Sequence, residues 1–106
     1  CVRYVSGSHM QGLRPHVRTE TLGFSQSISD YGDEDLKYER ACIASPGDLL
    51  AHHALTIHRA DSNQSDSRSR RALGFVFYGE SAKEDAVAHA SYQQKLTQEM
   101  TAQGKI

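Results

Sequence analysis

Apolar positions in this chain come in short bursts separated by polar stretches, and near residue 80 their spacing changes from alternation to a helical period. "CVRYVS" at the start is rich in Val and Tyr and has the length of a strand, which the glycine-punctuated "GSHMQGLRP" ends in a turn. Residues 17–37 are polar, carry Gly23, Gly32 and the acidic "DYGDED", and keep no period. They are expected to form a variable loop with room for one helical turn. "KYERACIA" predicts a second strand, and "SPGD" a turn built on the fixed backbone of Pro46 and the freedom of Gly47. "LLAHHALTIH" predicts a third strand, broken near Ala54 to Thr56. "RRALGFVFYG" is the clearest strand pattern, with Arg71, Leu73, Phe75 and Phe77 on one face and Arg70, Ala72, Gly74, Val76 and Tyr78 on the other. From Ser81 the spacing becomes helical, with Ser81 as N-cap, Glu84 as its capping-box partner, Val87, Ala90, Leu96 and Met100 roughly on one side, and Gly104 as the stop. The expectation is a mainly β chain over 1–80 followed by a C-terminal helix over 81–106.

Bulk composition narrows this picture. A chain of 106 residues with 38% hydrophobic content and no Trp is at most one domain with a small core. Its mean hydropathy of -0.60 points the same way. Such a chain relies on a second copy, a partner or a missing segment to cover its apolar faces, so self-association or completion by an N-terminal segment is expected. A net charge of -1 provides no field for nucleic acid or an anionic membrane, which leaves a small molecule or a protein as partner. No apolar run approaches the ~20 residues of a membrane span, and the start lacks a secretory stretch, so the expected location is the cytoplasm. Cys1 and Cys42 make neither a disulfide framework nor a C-x-x-C pair and are expected to be reduced. A first residue that is Cys rather than Met suggests a fragment.

Candidate chemistry concentrates in "HHALTIHRADSNQSDSRSRR", residues 52–71. His58 follows a strand-like "LTI" and precedes a turn, where a barrel rim aims side chains at a cavity. It reads either as a metal ligand or as a hydrogen-bonded rim residue. Arg70 opens a strand whose same-side Ala72 and Gly74 leave space against the sheet. It reads either as a bidentate carboxylate clamp or, with Arg71, as a solvated pair at a loop end. His52 and His53 point to opposite faces of a regular strand, so both cannot join His58 at one metal. His16 and His89 are expected at the surface. The chain contains no His-x-Asp or His-x-Glu.

The order "CVRYVSGSHMQG" and then "SPGDLLAHHALTIHRADSNQSDSRSRRALGFVFYG" resembles the C-terminal half of the phytanoyl-CoA dioxygenase family of iron(II)- and 2-oxoglutarate-dependent oxygenases. The family commonly shows a strand ending in Pro-Gly-Ser-His before a Gly-containing turn. A Gly-Asp turn, a distal His followed by an Asn, and an Arg opening the next strand come after it. Taken alone, "GSHM" at Gly7–Met10 looks like the scar of a purification tag. The resemblance makes it native, with Ser6 in place of the usual Pro. The resemblance implies that His58 is the distal iron ligand, that Arg70 pairs with the far carboxylate of 2-oxoglutarate, and that Asn63 and Thr56 occupy recurring positions nearby. It implies a double-stranded β-helix, a cupin-like jelly roll, of which this chain supplies about the second half.

There are two departures. The His-x-Asp pair lies upstream of the matched stretch in the family and is not in this sequence, and Ala60 stands where a hydroxyl residue often helps bind the cosubstrate. No catalytic residue follows from the resemblance, and the chain alone is expected to be inactive and to hold neither iron nor 2-oxoglutarate stably. Two readings from other classes stay open. One is a non-catalytic cupin-like binding or assembly module that keeps an anion pocket. The other is an N-terminal-nucleophile hydrolase using Cys1, which would need longer alternating sheets than the pattern offers. Nothing in residues 17–37 names a prime substrate.

Overall fold

The computed structural model describes residues 1–19 and 26–104. Its elements are β1 (Val2–Val5), a 3-10 turn (Ser8–Gln11), β2 (His16–Arg18), β3 (Gln26–Ile28), α1 (Asp33–Tyr38), β4 (Glu39–Cys42), β5 (His58–Ala60) and α2 (Ala86–Ala102). They form a small mixed fold of a few antiparallel strands with a C-terminal helix. The chain divides into two compact units, Cys1–Arg70 and Arg71–Ile106.

In the first unit, β1 lies between β4 and β5 and is antiparallel to both. Val2, Tyr4 and Val5 are residue types that suit a pleated, half-buried surface, which is why this segment takes the central place. Tyr4 stands opposite Arg40 on one side and His58 on the other, and Arg3 stands opposite Ala41 and Arg59. Successive side chains alternate between faces and directly opposed ones share a face. Tyr4, Arg40 and His58 therefore occupy one face of the sheet, and Arg3, Val5, Glu39 and Arg59 the other. Val5 is the buried hydrophobic residue among those described, accompanied by buried Ser8 and Asp35, so the core is as small as the composition suggests.

β2 and β3 pair separately, with Val17 opposite Ser27. They give paired strands to part of 17–37, where a loop with room for one helical turn was expected, and α1 supplies that turn; residues 20–25 of that stretch lie outside the described residues. α1 is only six residues long, but Asp33, Glu34 and Asp35 in its first turn suit the positive end of the helix dipole. Asp35 Oδ2 also accepts from the Gly32 amide at 3.0 Å.

Three expectations change. "KYERACIA" splits, with Tyr38 closing α1 before β4 begins at Glu39. The third strand begins only at the last residue of the expected segment, since β5 runs His58–Ala60 and residues 49–57 are turn and irregular chain. "RRALGFVFYG" is not a strand: residues 70–79 carry no regular structure, and Leu73, Phe75, Val76, Phe77 and Tyr78 are all exposed. Alternation marks a segment that fits a sheet, but a strand exists only where another strand accepts its hydrogen bonds, and among the described residues none flanks this one.

In the second unit, α2 starts at Ala86 rather than near Ser81, because Asp85 is the residue that caps it, accepting from the Ala88 amide at 2.9 Å. Glu84, expected to close a capping box, instead meets His89 Nδ1 at 2.7 Å. Tyr92, Leu96 and Met100 are the half-covered positions, four residues apart, while Val87 is exposed. Gly104 adopts φ +66° just past the helix end, the left-handed conformation that suits glycine there. No helix among the described residues is long and apolar enough to cross a membrane.

Candidate functional site

β5 carries His58 to the face of the sheet that also holds Tyr4. The His58 ring lies 4.7 Å from that of His52 and 6.0 Å from that of Tyr4, centroid to centroid. His58 Nδ1 is 2.9 Å from the Thr56 carbonyl oxygen. A carbonyl can only accept, so Nδ1 carries the proton and Nε2 of the neutral ring is left with its lone pair. That is the form of imidazole that binds a metal or takes a proton.

His52 reaches this face from the irregular chain before β5. Its Nδ1 is 3.1 Å from the Tyr4 hydroxyl and the two rings are 4.9 Å apart. Burial, and then the neighbouring His58, hold the His52 imidazole below its usual pKa, while burial raises Tyr4. His53 turns elsewhere: its Nδ1 accepts from the Leu55 amide at 3.1 Å and its ring lies 5.6 Å from that of His9. His52 and His53 were expected on opposite faces of a strand; they lie instead in irregular chain, and their rings meet different partners, His58 and His9.

The opposite face is a charge network. Arg59 grips the Glu39 carboxylate with both Nε, at 2.9 Å, and Nη2, at 2.8 Å, and reaches Asp61 with Nη1 at 2.6 Å. Arg3 Nε donates to Asp61 at 2.7 Å, and the Tyr31 hydroxyl donates to Glu39. The bidentate Arg59 contact, and after it the Tyr31 hydroxyl, push Glu39 below the usual carboxylate range. Arg3 does the same for Asp61. Nearby, Arg14 clamps the buried Asp35 at 2.6 Å and Asp30 at 3.0 Å, and lowers Asp35 likewise.

Because all three carboxylates titrate lower folded than unfolded, the unfolded chain binds protons more readily. Their stabilising contribution is present above about pH 4, the unfolded range, and is lost as pH falls through the lower folded values. Urea midpoints of the chain are therefore expected to fall steadily between about pH 5 and about pH 2. A midpoint that stays constant over that interval would show that these pairs add nothing to stability.

A cavity of about 610 Å³ opens in the first unit, and its lining includes Arg3, Arg14, Glu39, Thr56, His58, Arg59 and Arg70. Three of its four guanidiniums are engaged: Arg3 with Asp61, Arg14 with Asp35 and Arg59 with Glu39. Arg70 is the one with no carboxylate partner among the described residues. The cavity can thus accept a carboxylate at Arg70, and the β5 residue His58 belongs to the same lining, while its ring packs with Tyr4 and His52. Thr56 contributes its backbone carbonyl to His58 as well as lining the cavity. Asn63 is not in the lining: its Nδ2 donates to the Arg68 carbonyl at 2.6 Å and its Oδ1 accepts from the Ser65 amide at 3.1 Å, so it shapes the loop leading to Arg70.

The family model described as "Phytanoyl-CoA dioxygenase (PhyH)" matches residues 1–72, about two thirds of the chain. The chain belongs to the phytanoyl-CoA dioxygenase family. No curated protein and no solved structure matches it. The family is of the iron- and 2-oxoglutarate-dependent oxygenase type, whose metal is held by two His and one carboxylate. Among the described residues no group of three or more His, Cys, Asp or Glu side chains is placed to hold a metal ion. His58 and its neighbour His52 are not joined by a carboxylate, so the described residues do not by themselves fit that iron centre.

Sequence reasoning missed the packing of Tyr4 and His52 on His58, and the whole Arg3, Glu39, Arg59, Asp61 network. Their signal was opposite charge on successive strand segments, which becomes readable only once the register is known.

Proposed function

We propose that this chain is the C-terminal half of an iron(II)- and 2-oxoglutarate-dependent oxygenase of the phytanoyl-CoA dioxygenase type, with the rest of a jelly-roll barrel supplied by a preceding segment that carries the His-x-Asp pair. In this reading His58 is the distal iron ligand through Nε2, and Arg70 pairs with the far carboxylate of 2-oxoglutarate. Thr56 holds the ligand ring and Asn63 sets the loop that delivers Arg70. The observation that carries the reading is the family match, which extends over both His58 and Arg70. The cavity supports it, since Arg70, which has no carboxylate partner among the described residues, and the β5 residue His58 both belong to its lining. The outer edge of β5 has no strand partner among the described residues, and the same preceding segment would pair there. The exposed run from Ala72 to Tyr78 likewise calls for cover from a further segment of the barrel.

The test is to express the chain with the coding sequence that precedes Cys1 and to compare both forms for iron(II) binding by anaerobic calorimetry and for consumption of 2-oxoglutarate. The longer protein is expected to bind one iron with micromolar or tighter affinity and to consume cosubstrate, and the chain alone to do neither. A longer protein with no His-x-Asp and no consumption of 2-oxoglutarate would instead favour a cupin-like binding module.

A further inference from the structure

We propose that Ser8 is a positioning residue for His58, acting through the peptide unit between Thr56 and Ile57; the inference rests on the reading of His58 as the distal ligand. Ser8 is 1% exposed, the most deeply buried side chain among the described residues, although it is a hydroxyl and lies in a turn. Both bonding directions of that hydroxyl are used. Its Oγ donates to the Val5 carbonyl at 2.8 Å and accepts from the Ile57 amide at 2.8 Å. Ile57 is held on its other side too, since its carbonyl accepts from the Val5 amide at 2.9 Å. Ser8 thus adds one rung to the β1–β5 ladder where the chain of β1 has already turned away, a turn made possible by Gly7 at φ +78°.

The amide that Ser8 holds shares a rigid, planar peptide unit with the Thr56 carbonyl, and in a trans peptide the two point in opposite directions. Fixing the Ile57 N–H on Ser8 therefore aims the Thr56 C=O, and that carbonyl receives Nδ1 of His58 at 2.9 Å. A continuous relay runs from the Val5 carbonyl through the Ser8 hydroxyl, the Ile57 amide and the Thr56 carbonyl to the His58 ring. Its last link keeps the proton on Nδ1 and the lone pair on Nε2. The serine of the "GSH" stretch, 50 residues before the histidine it serves, thereby sets which nitrogen of that histidine is available.

Nitrogen-15 NMR of the His58 ring and amide exchange at Ile57 test this without iron. At about pH 8, where an ordinary imidazole is neutral, the unaltered chain is expected to show His58 protonated on Nδ1 and a protected Ile57 amide. Ser8→Ala should move the His58 proton toward Nε2 and speed exchange at Ile57 about tenfold relative to Ala60, the scale of one lost hydrogen bond. Ser8→Thr, which keeps the hydroxyl, should restore the Nδ1 form, and Ser6→Ala, an exposed neighbour, should leave both signals unchanged. An unaltered His58 tautomer in folded Ser8→Ala overturns the proposal. Should Ser8→Ala fail to fold, the unaltered chain decides, because an unprotected Ile57 amide or a His58 ring protonated on Nε2 overturns it equally. None of these readouts depends on iron binding, so a failure here leaves the ligand reading of His58 to stand or fall on turnover alone.

Discussion

His58→Ala is expected to abolish 2-oxoglutarate consumption by the assembled oxygenase at every cosubstrate concentration. The substitution removes the one described nitrogen whose lone pair is freed by a fixed tautomer, with Nδ1 committed to the Thr56 carbonyl. His52, although its ring is 4.7 Å away, does not replace it, because its Nδ1 is engaged with the Tyr4 hydroxyl and no comparable contact among the described residues aims its Nε2. The loss should exceed the roughly 10- to 100-fold that deletion of an outer partner of a metal ligand costs, since a ligand itself is gone. Steady-state rates over a range of iron concentrations decide it. Activity restored by excess iron, or retained above a tenth of the original, would remove His58 from the metal.

Arg70→Ala is expected to act on a different parameter. It should raise the 2-oxoglutarate concentration needed for half-maximal rate by about ten- to a hundredfold, the equivalent of a charge-assisted carboxylate pair worth about 1.5–3 kcal/mol. Arg70 is in the cavity lining and has no carboxylate partner among the described residues, whereas Arg71 is outside that lining, so Arg71→Ala should leave the value within about twofold. The contrast between the two neighbours carries the information. If Arg71→Ala produced the cosubstrate defect and Arg70→Ala were silent, the placement of the carboxylate at Arg70 would be wrong.

How much of this could be read from the chain beforehand depends on how local each signal was. β1 was legible because Val and Tyr in a short burst next to a glycine turn are a local pattern, and Gly104 marked the end of α2 for the same reason. The family match was legible through ordered motifs that survive without any knowledge of the fold. The start of α2 was misplaced because Ser81 and Asp85 are both acceptable caps, and only the bond to Ala88 chooses between them. The strand at 70–79 failed for a deeper reason, since its formation depends on a partner that local sequence does not contain. The Ser8 hydroxyl was hidden for a similar one. Its partner, Ile57, is 49 residues away, and a polar residue in a turn gives no hint that it will be buried.

The exposed run from Ala72 to Tyr78 also has a consequence for the life of the chain in the cell. "ALGFVFY" has no charge and no proline, combines two Phe and a Tyr with Val and Leu, and presents most of these side chains to water. Those are the features of segments that stack in register into cross-β fibrils, where identical copies supply one another's hydrogen bonds. Its gatekeepers are Arg70 and Arg71 on one side and Glu80 on the other, which repel or disrupt a growing stack only at its margins. Pairing of this segment with its twins is therefore the hazard that the proposed preceding segment would remove. Dilution disfavours that outcome, and accumulation of the bare chain favours it.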